Sequence, residues 1–543
     1  MNESRIKIHL FFVSLLLVIF SLIPYFYLYL NSPSGYKYSW TTYLNPTDNY
    51  VYYSFIEQAS QGKLIFSNYY SSEGDWGGMI RPLWLLVGWF GSLLGVSPML
   101  SFHLFRLLLI TLFVFVVYKF LSLFIDNLKQ RVLALYLFFF TSGLGWIYLL
   151  LHPYFWLRNH WSQIPFDFMM PESLPFFSIL VSPHFIASWI LLLAGVILLW
   201  QSVTSVGSGL RFSVWAGVLL AFLFFMHPFY VPLVSVLGVI FFAFSLFFPS
   251  KQLGIKKILL RLAIVLAISS LPIWYYWFLG IYDFSLYIKA GQNLLPSPDF
   301  GIAFYTFGAA WLLAVIGGWF YYKQYGFDRR LLFLASWTIL GWFFIYAPVP
   351  WQRRLAEGWY FPLIILASFA LFKFEKKFKK ASSLLFYGRY FFYGLLLVLF
   401  LTGNLVVVFF NSYLLSSKLW GTFYYPIELA QAGRWLKENT AESSVIITND
   451  DDAMVKLPFF AQRRIYFAHL VETVFSRAKF NQLVWLFTND NFAERKYSFL
   501  RQARIKFIIF NKDKGDFSNF NPSNKDFLQP VWQQGDLVIF KVK

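Results

Sequence analysis

"LFFVSLLLVIFSLIPYFYLYL", residues 10–30, contains no charged side chain. A helix of that length rises about 31 Å, enough to cross a hydrocarbon core about 30 Å thick. Arg5 and Lys7 precede it, as in a secretory signal. The residues that follow, "NSPSGYKYSW" (Asn31–Trp40), make a poor cleavage site, so the run reads as a retained first membrane span.

Similar runs recur at Phe185–Trp200, Leu262–Leu279 and Tyr390–Phe410 in a chain of 543 residues that is 58% hydrophobic and 13% charged. A soluble domain carries about 25% charge, so the fold class is an all-α polytopic membrane protein. Read as helices, the apolar segments are 8–30, 82–96, 102–124, 130–142, 145–157, 183–200, 211–226, 228–248, 257–280, 303–322, 331–347, 358–374 and 388–411. "TSGLGW" (Thr141–Trp146) is read as a tight reversal between two short spans, because glycines are common where a chain turns. The resulting thirteen spans gather Arg5/Lys7, Lys251/Lys256/Lys257/Arg261, Lys323/Arg329/Arg330 and "KFEKKFKK" (Lys373–Lys380) on one face. By the positive-inside rule that face and the N-terminus are cytoplasmic.

The net charge of +19 is largely a product of this topology and does not point to nucleic acid. Acidic residues favour the other face: Asp48, Glu57, Glu73, Asp75, Asp126, Asp167, Glu172, Asp283, Asp299 and Glu357. There is no cysteine, which excludes disulfides and thiolate-held cofactors. Beyond the transmembrane domain, expected over 1–412, the composition becomes soluble in character. Within 413–543, "PIELAQAGRWLKEN" (Pro426–Asn439) reads as an amphipathic helix, and "SVIIT", "RRIYFA", "KFIIF" and "LVIFKV" read as strands. An odd span count places this small α/β domain outside the cell membrane.

The first outer loop, 31–81, carries "NPTDNYVYYSFIEQASQGKL" (Asn45–Leu64). Val51, Tyr52, Phe55, Ile56 and Ala59 recur at helical spacing, with Ser54, Glu57, Gln58 and Gln61 opposite, the pattern of an interfacial helix. Asp48 falls in its first turn, where the helix dipole alone would favour an acid. Later in the loop, "NYYSSEGDWGGMIRPLWLL" (Asn68–Leu86) sets Glu73 and Asp75 before Arg81. Other outer segments add Asp167, Glu172 and His184 in "IPFDFMMPESLPFFSILVSPHF", and His227 in "FMHPFY". Lys289 lies in "LYIKAGQNLLPSPDF", and Arg353, Arg354 and Glu357 in "PVPWQRRLAEGWYFP". Carboxylates, histidines and arginines gathered at one membrane boundary suit an anionic lipid head group, a metal and a base.

With these features the sequence resembles an integral-membrane glycosyltransferase of the C superfamily, the group of protein O-mannosyltransferases, aminoarabinose transferases and oligosaccharyltransferases. Asp48 after the first span, Glu73 late in the same loop, the Arg81–Pro82 entry to the next helix and a soluble domain after the last span carry the likeness. The resemblance implies transfer of a sugar from a polyprenyl-phosphate donor to a glycan, lipid or protein hydroxyl outside the membrane, with inversion. It implies Asp48 as the base, Glu73 (or Asp75) and His227 as ligands of a divalent metal or groups that orient the donor phosphate, and Arg81, Arg353 and Arg354 as donor-phosphate ligands. Asp167, Glu172, His184 and Lys289 are further candidates. Asn49 stands where many relatives have a second acid, and no WWD-type motif is present. A polytopic transporter or lipid flippase is the alternative reading.

Overall fold

A computed structural model describes the chain except for residues 1–2, 43–45, 74–79, 153–163, 249–253, 380–393, 395, 397, 400, 415–419, 489 and 515–518. Asp75, Lys251 and parts of the expected spans 145–157 and 388–411 lie outside the described residues. The described residues include eight helices long and apolar enough to cross a membrane, from Ser4–Leu30 to Gln352–Lys377. Three shorter apolar helices are Pro82–Leu94, Tyr230–Phe244 and Leu401–Ser412. The chain divides into two units: Met1–Pro24, His103–Tyr276 and Leu294–Asn411 form the first, and Tyr25–Phe102, Trp277–Asn293 and Ser412–Lys543 form the second.

The first unit is a helical bundle. Phe300–Tyr325 and Tyr360–Lys379 approach so closely that a Cβ at Gly317 would lie 1.8 Å from the Leu366 carbonyl oxygen. Aromatic rings fill the centre: Phe361 lies 4.6 Å from both Phe138 and Trp189, centroid to centroid. Such pairs add to their area burial about 0.5–1.5 kcal/mol each.

The "TSGLGW" break is present, since Leu128–Phe140 stops at Thr141 and a new helix begins at Gly145. Its glycines serve close approach: a Cβ would sit 2.6 Å from Thr306 Cα at Gly143 and 2.2 Å from Asp167 Oδ1 at Gly145. The expected thirteen-span arrangement needs correction at this point. It sets Asp126 and Arg330 on opposite membrane faces, yet they form an ion pair at 2.8 Å. It likewise separates Thr141 from Tyr360, whose hydroxyls are hydrogen-bonded.

In the second unit, Pro46–Ser60 packs on Pro82–Leu94, part of the expected second span. A Cβ at Gly88 would lie 2.4 Å from Ala59 Cβ, and Tyr52 stacks on Trp84 at 4.4 Å. On another side, Tyr50 meets Phe459 and Phe460 of the helix Asp451–Ala461. Pro46–Ser60 is therefore clasped between protein surfaces, where its pattern suggested an interfacial helix with one polar face. Asn49, Ser54 and Gln58 are buried. Gln58 answers with two bonds to the Ser67 backbone, donating to its carbonyl oxygen at 3.1 Å and accepting from its N–H at 2.8 Å.

A two-stranded antiparallel ladder joins β1 (Tyr36–Tyr38) to β2 (Tyr424–Pro426). The terminal sheet has the order β4 (Arg464–Ile465), β3 (Val445–Thr448), β5 (Ile505–Asn511), β7 (Leu537–Val542), β6 (Leu528–Gln534). β3 is parallel to β4 and β5, and β7 is antiparallel to β5 and β6. Ile447, Ile508, Leu486 and Leu500 close its core.

Candidate active site

Asp48 stands in the first turn of Pro46–Ser60, with its side chain 31% exposed. Its Oδ1 lies 2.9 Å from Nε2 of His469, a buried residue of the terminal domain. The backbone N–H groups of Val471 and Glu472 both point at His469 Nδ1, each at 3.1 Å. An Nδ1 that accepts two hydrogen bonds carries no proton, which assigns the ring proton to Nε2 and makes His469 the donor to Asp48. The carboxylate is oriented by that bond while its other oxygen makes no bond to His469.

The segment after His469 organises the rest of this cluster. Glu472 forms ion pairs with Lys289 Nζ at 3.5 Å and Arg81 Nη2 at 3.7 Å. Burial opposes its charge, but Lys289 and Arg81 prevail and hold its carboxyl down at about 2. Arg81 also lies over the Phe55 ring at 4.2 Å, one face of the Asp48 helix. Gln292 fixes the Lys289 helix, donating to Thr473 O at 2.9 Å and accepting from Ser476 N at 3.1 Å.

A group with a depressed folded-state pKa stabilises the fold above its unfolded pKa, and the contribution fades as pH falls through the folded value. Glu472 should therefore stabilise this cluster fully above about pH 5, near its unfolded value, and progressively less down to about pH 2. Thermal melts between pH 6 and 3 should show the wild type losing its margin over Glu472→Gln. An unchanged margin would remove Glu472 from the charge balance.

Glu73 is placed nearby in the same unit but is occupied: Lys479 Nζ reaches its carboxylate at 2.5 Å, and Ser71 donates to it. Neither Lys479, His469 nor Glu472 stands out in the sequence. "FAHLVET" (Phe467–Thr473) does show a histidine and an acid three residues apart, which was the available signal.

In the first unit, Glu172, Arg354, Glu357, His227 and His184 converge. Arg354 Nη1 lies 2.6 Å from Glu172 Oε1 and 3.7 Å from Glu357 Oε1. His227 Nδ1 lies 3.5 Å from Glu357 Oε2, and the His184 ring stacks on His227 with centroids 5.1 Å apart. His184 Nδ1 is in turn 2.6 Å from Ser182 Oγ. Arg353 adds positive charge near Glu172, and its backbone N–H donates to Leu295 O at 3.2 Å. Asp167 is apart from these groups in role. It accepts Gly145 N–H at 3.0 Å and Thr306 Oγ1 at 2.8 Å, so it pins the helix break. Burial pushes its carboxyl up to about 6 despite those two bonds.

Glu73 pairs with the Lys479 ammonium and His227 faces Glu357; among the described residues neither belongs to a group of three histidine or acidic side chains spaced to share one ion. Asp450, Asp451 and Asp452 have carboxylate oxygens within 4.8 Å of one another, the spacing a cation site needs. There Lys514 reaches all three, at 3.7, 3.9 and 2.9 Å, and supplies the positive charge.

No protein-family model and no curated protein matches the chain in sequence. Solved structures do match. The archaeal oligosaccharyltransferase AglB from Archaeoglobus fulgidus, in complex with an inhibitory peptide and a dolichol-phosphate, aligns with a TM-score of 0.58 at 13% identity. The match covers 94% of this chain and 70% of AglB. ArnT from Cupriavidus metallidurans, bound to undecaprenyl phosphate, aligns over 99% of this chain and 98% of its own, with a TM-score of 0.53 at 11% identity. The chain shares its fold with these two membrane enzymes. The mycobacterial arabinofuranosyltransferase AftD shares it too, with a TM-score of 0.56 and 13% identity, and the chain spans about 40% of AftD's length. At such identities the likeness is one of fold, and chemistry has to be argued from this chain's own side chains.

Proposed function

We propose that the protein transfers a sugar from a polyprenyl-phosphate donor to an acceptor hydroxyl on the outer side of a cell membrane. The observation that carries this reading is Asp48: a partly open carboxylate in the first loop of a C-superfamily fold, held in one orientation by the His469 Nε2–H. In a single displacement the acceptor oxygen bonds to the anomeric carbon as the bond to the phosphate oxygen breaks. Asp48 takes the hydroxyl proton, and the lipid phosphate leaves with the electron pair. Inversion follows from one displacement. Cations must balance the departing phosphate, and Arg81, with Lys289 beside it, is the candidate in the Asp48 unit. Arg353 and Arg354 are candidates in the first unit. AglB and ArnT each hold a polyprenyl phosphate, which supports a donor of that class. No step is routed through a metal.

The same reading includes an orientation. Setting aside 82–96 and 145–157 as crossings leaves eleven spans. Asp126 then joins Arg330 on the cytoplasmic face, and Lys129 and Arg131 move there as the positive-inside rule prefers. Because two spans are removed, the terminal domain stays outside and the N-terminus inside.

Mass spectrometry of lipids copurifying with the detergent-solubilised protein tests the donor class. A polyprenyl phosphate or its glycoside is expected. Protein that carries none, and gains no thermal stability from added dolichyl or undecaprenyl phosphate, would overturn the reading.

A further inference from the structure

Within the second unit lies a cleft of about 1300 Å³. Small-molecule pockets run to about 300–1,000 Å³, so this one has room for a chain of several units. Its rim includes Tyr29 and Leu30, which end the first span, and Met99 and Leu100, which open the helix Pro98–Leu121. The helix Ile427–Asn439 also lines it, through Ala430, Arg434, Lys437 and Glu438.

Flat rings and planar polar groups share this lining. Trp40 lies between Tyr29 and Tyr38, with ring centroids 5.4 and 5.5 Å away. Glu57 is held in place by Gln462 Nε2 at 2.9 Å and Lys437 Nζ at 3.5 Å. Gln462, at φ 47°, is the left-handed cap that ends the helix Asp451–Ala461, whereas Trp40, at φ 52°, takes the conformation that bulky residues avoid away from any helix end. Strain of this kind persists where the surroundings over-determine it and gathers at ligand clamps. The Tyr53 hydroxyl holds the Trp40 carbonyl at 2.6 Å, which supplies that constraint. Lys37 and Arg434 also line the cleft, as does the acidic Glu438, and neither cation forms an ion pair among the described residues.

We propose that this cleft binds a saccharide chain bearing negative charge. Ring faces carry negative potential and attract the positive C–H edges of a sugar ring. Fixed carboxylate, amide and guanidinium groups suit hydroxyls, and Lys37, Arg434 and Lys437, which outnumber Glu57 and Glu438 on the lining, suit a uronate or phosphate substituent. An acyl chain would strand Glu57, Lys437 and Arg434 against hydrocarbon, which is costly. On the transferase reading the saccharide is the acceptor, and that identification alone rests on the reading.

Solubilised full-length protein applied to an array of neutral and acidic oligosaccharides tests the proposal. Asparagine tolerates the left-handed conformation, so Trp40→Asn removes the ring without opposing the backbone. Arg434→Gln alters an exposed residue and leaves the fold intact. Retention of acidic oligosaccharides is expected, with at least a ten-fold loss in each variant and unchanged copurifying lipid and melting temperature. No glycan retained, retention equal in wild type and variants, or capture only by peptide or lipid controls would overturn it. Absence of a polyprenyl phosphate in the wild type would sink the transferase reading and leave the array result standing on its own.

Discussion

Asp48→Asn is expected to slow sugar transfer by a factor of about 10²–10⁴, the range that a positioned general base supplies, with expression and membrane insertion unchanged. The substitution is close to isosteric. Its amide oxygen still accepts the His469 Nε2–H, so the link between the first loop and the terminal domain survives. What disappears is the capacity to take a proton. Donor affinity should be retained, because the base contacts the acceptor hydroxyl. Thermal stabilisation by added polyprenyl phosphate is the control that separates chemistry from binding. His469→Ala should also slow transfer, through loss of carboxylate orientation, while leaving the proton acceptor in place. Near-normal turnover in Asp48→Asn would remove the base assignment.

The sequence exposed the parts of the fold that depend on local pattern. Apolar runs gave the bundle, and the strands at Val445–Thr448, Ile505–Asn511 and Leu537–Val542 followed from β-branched and aromatic content. β6, "LQPVWQQ", was not legible, because a proline and three glutamines mask an edge strand. The thirteen-span count is left unconfirmed for a different reason. Pro82–Leu94 is as apolar as a crossing helix, but its Gly88 face is shaped to the Ala59 face of Pro46–Ser60. Length and hydropathy do not record which surface an apolar helix covers. Asp48 was legible through its position in a loop pattern. His469 lies 421 residues away and becomes visible only when β4 and the loop after it are folded against the first outer loop.

Arg354→Ala is expected to have the largest effect on stability. Arg354 is the cation between two carboxylates, Glu172 and Glu357, that are 3% and 2% exposed. Among the described residues Glu357 has Arg354, the buried Tyr230 hydroxyl and His227, at 3.5 Å, as polar neighbours, so its charge rests chiefly on Arg354. Removing one partner of a buried ion pair costs about 3–5 kcal/mol, because the remaining charge stays buried without compensation. That is a large part of the roughly 5–15 kcal/mol that holds a fold together. The variant should yield little monodisperse protein and melt well below the wild type. Glu172→Gln and Glu357→Gln added to Arg354→Ala should restore much of the loss, since the charges that needed the guanidinium are then gone. The experiment also separates two roles for this arginine. If its main partner is the donor phosphate, Arg354→Ala folds and melts like the wild type, and the stabilisation by added polyprenyl phosphate is what disappears. If the two carboxylates are its partners, the melting temperature falls with no lipid present, and only the triple variant recovers it.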